Sequence, residues 1–158
     1  MFVECESSIL DFQRRDTHDD APFFGVIDDL GLGADRREQA FRRAVFNIAT
    51  SNCDDHTENH AFTLDATGAW DLAPAYDVTH AHNPTGEWTS RHLMGIDGIF
   101  YDVGRDHLLR FADRFAVPTP RAIIDDINTA VAAWPDFARS AELQREPTHR
   151  IRQDLHQI

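Results

Sequence analysis

Three polar side chains between residues 54 and 77 have the types and the spacing that phosphoryl transfer requires. Asp54 is followed five positions later by Asn59, and Asp77 comes after a further short segment. Phosphoryl transfer needs a carboxylate that orients the attacking hydroxyl and accepts its proton, and oxygen ligands that hold magnesium against the phosphates. The spacing Asp-x-x-x-x-Asn, with a second Asp after a hairpin, is typical of such sites. Asp54 is therefore the candidate catalytic base, and Asn59 and Asp77 offer the hard oxygen atoms that Mg²⁺ favours.

The segment before this group predicts a helix over residues 36–51. Phe41, Val45 and Ile48 recur at helical spacing, which gives the helix one apolar face. Asp35 is the expected N-cap, because an acidic residue follows three positions later in a capping pattern. A helix at this place would carry the polar loop on its carboxyl end.

A polar loop and a hairpin follow the helix. Residues 52–60 are too polar to continue its apolar face, so they predict a loop. Two short alternating runs, AFTLD and WDLAP, flank a turn at Gly68 and predict a β-hairpin that Pro74 ends. Asp77 then lies in a loop. An Asp and an Asn at this spacing are common in polar loops, whereas the order helix, loop, hairpin and loop Asp is considerably more specific.

The remaining segments predict a mainly α chain that has one small hairpin, an α+β class. Residues 1–34 are interpreted as an irregular segment, with at most a short helix near 9–15. An extended piece is predicted at 91–96. Further helices are predicted over 105–115, 119–134 and 147–157.

An acidic composition without lysine limits the classes of partner. The 158 residues have a formal net charge of −12, and all 15 basic residues are arginines. Phosphate neutralisation needs a concentrated basic face, so we expect no independent nucleic-acid binding. The charge suits a basic partner, a site that holds cations, or simply an acidic soluble surface. No apolar run approaches the roughly 18 residues of a membrane span. The two cysteines, Cys5 and Cys53, fit a reducing cytoplasm, where we expect a soluble protein.

A second interpretation of the polar loop is a transition-metal site of a hydrolase. Zinc or iron would need three or four converging ligands, and no Cys-x-x-Cys or His-Glu-x-x-His pattern supports such a site. Solvated loop histidines are the competing interpretation. The ligands to be considered are Asp54, Asp55, His56, His60, His80 and His82.

Several neighbours of the candidate site have structural interpretations. Asp55 is expected to make a loop or cap hydrogen bond. Nearby acids should raise the pKa of Cys53 and make its thiol unreactive. Arg91 and His92 could contact a substrate, although nothing in their spacing requires it. Core or helix-packing positions are expected at Phe62, Leu64, Trp70, Trp134 and Phe137.

The segment NCDDHTENHAFTLDATGAWDLAPAYDVT resembles the signature of HipA-like serine/threonine kinases. Its Asp-x-His-x-x-Asn loop and its Leu-x-Pro-x-Tyr-Asp segment carry the resemblance. The similarity extends from about Arg36 through GEWTSRHLMGIDG and DHLLRFADRFAV to about Ala138. It implies that residues 35–158 form the helical C-terminal lobe of a protein-kinase-like fold, with the small hairpin at the catalytic and metal loops.

The resemblance also implies roles for residues and partners. Asp54 would be the catalytic aspartate, Asn59 and Asp77 would coordinate Mg²⁺, and His56 would brace the loop. ATP would be the phosphoryl donor. Such kinases are toxins of bacterial toxin–antitoxin pairs, restrained by a HipB-like DNA-binding antitoxin, and their substrates include translation components such as an aminoacyl-tRNA synthetase.

Two departures from the family pattern set the alternatives. Glu58 stands where the family usually has a basic residue, and no lysine is available for the nucleotide contact that the N-terminal kinase lobe makes. We therefore expect that lobe, with its glycine loop, to come from another chain or another part of the gene product. A catalytically inactive kinase-like binding module and a metal-dependent hydrolase remain the alternatives to an active kinase.

Overall fold

Helices dominate the computed structural model, which describes residues 2–4 and 18–158. The helices are α1 Asp20–Asp29, α2 Ala34–Ala49, α3 Arg105–Arg114, α4 Pro120–Ala132, α5 Trp134–Ser140 and α6 Arg145–Asp154. The strands are β1 Phe2–Glu4, β2 His18–Asp19, β3 Ala61–Leu64, β4 Trp70–Leu72 and β5 Met94–Gly95. The prediction of a mainly α chain of α+β class is confirmed. None of the helices described is long and apolar enough to cross a membrane.

The predicted hairpin is confirmed as β3 and β4. The two strands pair antiparallel, with Phe62 opposite Leu72, and β1 pairs antiparallel with the other edge of β3. Asp65 closes the turn, because its carboxylate accepts hydrogen bonds from the backbone N–H of Thr67 at 2.7 Å and of Ala69 at 2.9 Å. In a separate short sheet β2 pairs parallel with β5, and β5 lies within the extended piece predicted at 91–96.

The apolar face of α2 lies in the centre of the core. Phe41 and Val45 are fully buried and Ile48 is nearly so, as their helical spacing predicts. The helix begins at Ala34, slightly before the predicted start, and its N-cap is Gly33 instead of Asp35. Gly33 has φ 80°, a backbone conformation that favours glycine. With Gly33 as the N-cap, the first turn of the helix includes Asp35.

The interpretation of residues 1–34 as irregular is wrong for α1. Asp19 caps this helix, and its carboxylate accepts a hydrogen bond from the Ala21 N–H at 2.8 Å. Phe23, Phe24 and Ile27 pack into the core from it. In the sequence Pro22 argues against a helix. A proline is nevertheless tolerated in the first turn of a helix, where N–H groups have no helical partner. The helix expected near 9–15 lies outside the described residues, and the division of domains at residue 34 stays a prediction.

The helix predicted over 119–134 is confirmed as α4, and a separate helix, α5, begins at Trp134, where the predicted helix ends. The chain turns between α4 and α5, where Pro135 occupies the first turn of α5. Trp134 packs as expected, since its Nε1–H donates to the Thr148 carbonyl of α6 at 3.1 Å. The prediction for Phe137 is wrong, because 57% of this residue is exposed.

The last residues of the chain return to the end of α2. The His156 N–H donates to the Ala49 carbonyl at 2.9 Å, and the hydroxyl of Ser51 donates to the Asp154 carbonyl. Asn128 of α4 holds the backbone of Ile158, accepting from its N–H at 2.9 Å. The C-terminal segment thus closes the helical layer behind the loop that carries Asp54.

Candidate functional site

A cleft of about 380 Å³ lies between α2 and the loop that follows the hairpin. Both predicted magnesium ligands, Asn59 and Asp77, line it. One wall is a single face of α2, and the opposite wall is the segment 74–78. The α2 wall comprises Gln39, Arg42, Arg43, Phe46 and Asn47.

Asn59 is fixed by two hydrogen bonds inside its own loop. It ends the 3₁₀ turn Thr57–Asn59, and its N–H donates to the His56 carbonyl at 3.0 Å. Its side-chain Nδ2 donates to the Asp54 carbonyl at 2.8 Å. Because the nitrogen of the amide is used in this way, the oxygen Oδ1 is the atom left for a cation. An amide oxygen is a donor that suits Mg²⁺.

Asp54 lies beside the cleft and does not line it. The residue is partly exposed, whereas its neighbours Cys53 and Asp55 are buried. Its backbone carbonyl is held by Asn59, but its carboxylate makes no hydrogen bond or ion pair with the part of the chain that the structure describes. The loop thus fixes the backbone of Asp54 and leaves its carboxylate without a partner among the described residues, while its catalytic role stays a prediction. The loop-bracing role of His56 stays a prediction.

Asp55 anchors the loop to a distant segment. Only 4% of the residue is exposed, and Oδ1 accepts hydrogen bonds from the N–H of Leu93 at 2.8 Å and of Met94 at 3.3 Å. Oδ2 is 2.8 Å from His92 Nδ1, which must donate because an ionised carboxylate only accepts. The expected structural role of Asp55 in hydrogen bonding is confirmed, although its partners lie in a distant segment and not in its own loop. His92, which sequence patterns left open for a substrate role, is buried and engaged with Asp55.

Asp77 projects from an unusual stretch of backbone. Its φ is 51°, in the left-handed region that is uncommon for non-glycine residues and that Asp tolerates better than most. Its side chain is exposed at the mouth of the cleft. The preceding residue, Tyr76, donates its phenolic hydrogen to the backbone carbonyl of Glu58, which immediately precedes Asn59. The two loops that carry the predicted ligands are therefore in direct contact.

Two arginines of α2 hold the second strand of the hairpin. Arg36 contacts the carboxylate of Asp71 with two nitrogens, of which Nη2 donates at 2.9 Å. Arg43 donates to the carbonyl of Ala73, the last residue before the loop turns into the cleft. Sequence reasoning missed both contacts, although a spacing of seven residues places the two arginines on one helix face. Burial lowers the pKa of Arg43.

Burial also keeps two groups near the site uncharged. His60 lies against Phe23, with ring centroids 4.4 Å apart, and burial lowers the pKa of its imidazole to about 4. Burial, followed by the charges of Asp55 and Asp154, raises the pKa of the Cys53 thiol to about 12. The prediction of an unreactive Cys53 rested on nearby acids, and the structure shows burial as the larger cause.

The other loop histidines do not assemble a transition-metal site. Both His80 and His82 lie against Asp154 of α6, whose carboxylate oxygens are 3.1 Å from His80 Nε2 and 3.1 Å from His82 Nδ1. Across residues 2–4 and 18–158, no group of three or more His, Cys, Asp and Glu side chains could hold a metal ion. A magnesium site differs, because Mg²⁺ binds through one or two protein oxygens together with waters and phosphates. Asn59 and Asp77 fit that pattern.

Comparison with known proteins identifies the family. The family described as HipA-like C-terminal domain matches residues 9–134, which is most of the chain and includes Asp54, Asn59 and Asp77. No curated protein matches the chain. The family match agrees with the resemblance carried by the polar loop and the Tyr76–Asp77 segment. The chain belongs to the family of HipA-like C-terminal domains.

Proposed function

We propose that this chain is the magnesium-binding and hydroxyl-orienting lobe of a HipA-type serine/threonine kinase that uses Mg-ATP. The observation that carries the proposal is the cleft itself: Asn59 and Asp77 line it together, while the Asn59 amide is locked to the backbone of Asp54. The family match independently includes all three residues.

The residues have distinct parts in the proposed reaction. The Asp54 carboxylate orients a protein serine or threonine hydroxyl and accepts its proton as the oxygen bonds to the γ-phosphorus. The bond to the bridging oxygen breaks and ADP leaves. Asn59 and Asp77 hold magnesium, which offsets charge on the β- and γ-phosphates when it is bound.

The partners follow from the family and from the charge of the chain. Because the chain has no lysine for the nucleotide contact, we expect a nucleotide-binding lobe from elsewhere to complete the cleft for phosphoryl transfer. A HipB-like DNA-binding antitoxin would be a basic partner for a surface of net charge −12. The protein substrate would be a translation component of the cytoplasm, as in a toxin–antitoxin system.

The first test is thermal unfolding of the chain with Mg²⁺, with ATP, and with both. A ligand at 100 times its dissociation constant stabilises the folded state by about 2.7 kcal/mol, which is readily detected. We expect a shift that requires both ligands and is lost in Asp77→Asn. Asp102→Asn is the matched control, because Asp102 is exposed and also has φ 51°, yet it does not line the cleft.

Transfer assays then separate the roles. Asp54→Asn should keep the ligand-induced shift and lose phosphoryl transfer by the assembled kinase. Transfer by that variant would contradict the assignment of Asp54. A shift that survives in Asp77→Asn would contradict the metal site. If Mg²⁺ and ATP together stabilise neither the chain by itself nor the chain with a nucleotide-binding lobe added, the kinase proposal fails and the inactive binding module is favoured.

A further inference from the structure

Tyr76 connects the two loops that carry the predicted metal ligands. Its hydroxyl donates to the carbonyl of Glu58, and each of these residues immediately precedes a ligand, Asp77 or Asn59. We propose that Tyr76 is a positioning residue that sets the separation of Asn59 and Asp77. This inference rests on the proposed function, because it concerns the same magnesium site.

The backbone around Asp77 makes such a contact necessary. The strand ladder ends at Ala73, whose N–H donates to the Ala61 carbonyl at 2.9 Å and whose own carbonyl accepts from Arg43. Beyond this point the chain leaves the sheet, and Asp77 adopts φ 51°. No repeating backbone pattern therefore fixes Asp77, and its place depends on side-chain contacts such as that of Tyr76.

The other half of the site is held from within. Asn59 is hydrogen-bonded to Asp54 and His56 of its own loop, so its position is fixed without Asp77. Asp77 must therefore be held at a suitable distance from this loop. Tyr76 contacts this loop at Glu58, one residue before the ligand Asn59. A hydrogen bond so close to both ligands restricts their relative movement, which lowers the cost of bringing two oxygen atoms to one ion.

The contact also explains how the site accommodates Glu58. Tyr76 uses the backbone carbonyl of residue 58, which every residue type supplies. The change from the family's usual basic residue to glutamate therefore leaves the register of the two loops intact.

The test compares Tyr76→Phe with Tyr101→Phe in the full chain. These are the only tyrosines in the sequence, and Tyr101 is 64% exposed and does not line the cleft. Binding of Mn²⁺, which prefers the same oxygen ligands as Mg²⁺, is measured by equilibrium dialysis of the protein against Mn²⁺ and a non-hydrolysable ATP analogue. The midpoint of thermal unfolding of the metal-free chain is measured in parallel.

We expect Tyr76→Phe to weaken Mn²⁺ binding by up to about tenfold, the factor that corresponds to one lost hydrogen bond. The unfolding midpoint of the metal-free variant should stay near that of the parent, because the contact is at an exposed site. Tyr101→Phe should match the parent in both measurements. This combination would support positioning, since a purely structural role would move the midpoint first.

The outcomes separate this inference from the proposed function. Mn²⁺ binding that Asp77→Asn abolishes and Tyr76→Phe leaves unchanged would overturn the inference alone. Weakened binding in Tyr76→Phe with a correspondingly lowered unfolding midpoint would also overturn it, because general destabilisation then accounts for the loss. Absence of Mn²⁺ binding in the parent chain even with a nucleotide-binding lobe added, or binding indifferent to Asp77→Asn, would overturn the magnesium site and the inference together.

Discussion

Replacing Asp55 with alanine should destabilise the fold more than any change at the neighbouring Asp54. The Asp55 carboxylate accepts three hydrogen bonds, from His92, Leu93 and Met94, at 2.8, 2.8 and 3.3 Å. Two of these donor residues, His92 and Met94, are buried, so water cannot replace the lost acceptor without opening the structure. The alanine variant leaves all three donors without the partner that the native loop provides.

The expected loss of stability follows from these three donors. Each buried donor left without a partner costs about 1–3 kcal/mol, and the partly exposed Leu93 N–H recovers some of its cost from water. We expect a loss of about 3 kcal/mol, which for a chain of this size lowers the unfolding midpoint by about 6–12 °C. Asp55→Asn should lose only about 1 kcal/mol, because its amide oxygen still accepts from both backbone N–H groups and the imidazole can change tautomer.

Urea denaturation followed by circular dichroism measures these differences. Asp54→Ala is the matched control, since Asp54 is partly exposed and its carboxylate has no partner among the described residues, and its cost should stay within about 0.5 kcal/mol. A loss below about 1 kcal/mol in Asp55→Ala, or a loss equal to that of Asp54→Ala, would refute the view that Asp55 anchors the loop.

Three further predictions concern buried or constrained positions. His60, whose pKa burial lowers to about 4, stays neutral in the fold while the unfolded chain takes up a proton, so stability should fall by about 3 kcal/mol as the pH drops from about 6.5 to 4. His60→Leu should lack this component when urea denaturation is repeated across that pH range. With Cys5→Ser in place, Cys53 should react with a thiol reagent at pH 8 only as fast as the chain unfolds, because its pKa is raised to about 12; rapid modification of the native chain would contradict this. Gly33→Ala should cost about 1 kcal/mol through its φ of 80° alone, since an added Cβ meets nothing within 4 Å, and Gly104→Ala, at φ −97°, should cost less in the same denaturation assay.

Local signals explain which parts of the fold could be predicted. The apolar face of α2 is predictable because Phe41, Val45 and Ile48 recur at helical spacing, and all three are buried in the structure. The hairpin is predictable because the Asp65 carboxylate accepts hydrogen bonds from backbone N–H groups within the turn itself. In both cases the residues that determine the structure lie within a few positions of one another.

The missed features depend on contacts between distant segments. Asp55 meets His92 across 37 residues, and nothing in either local pattern identifies the partner. The same applies to Tyr76 and Glu58, 18 residues apart, although both lie in the segments that predict the site. The sequence predicts that Asn59 and Asp77 have suitable chemistry. Their meeting in one cleft depends on how the hairpin packs on α2, which no local pattern specifies.

The folded part of the chain extends beyond the region that the family match covers. The family match ends at residue 134, yet His156 and Ile158 bond back to Ala49 and Asn128 within the matched region. Ile151 and Leu155 also border an apolar groove that Phe46 and Trp134 line on its other sides. A gene truncated at the family boundary would uncover that groove and leave backbone groups of α2 to water. Such a product should aggregate on expression, whereas a chain that keeps the residues through 158 should remain folded.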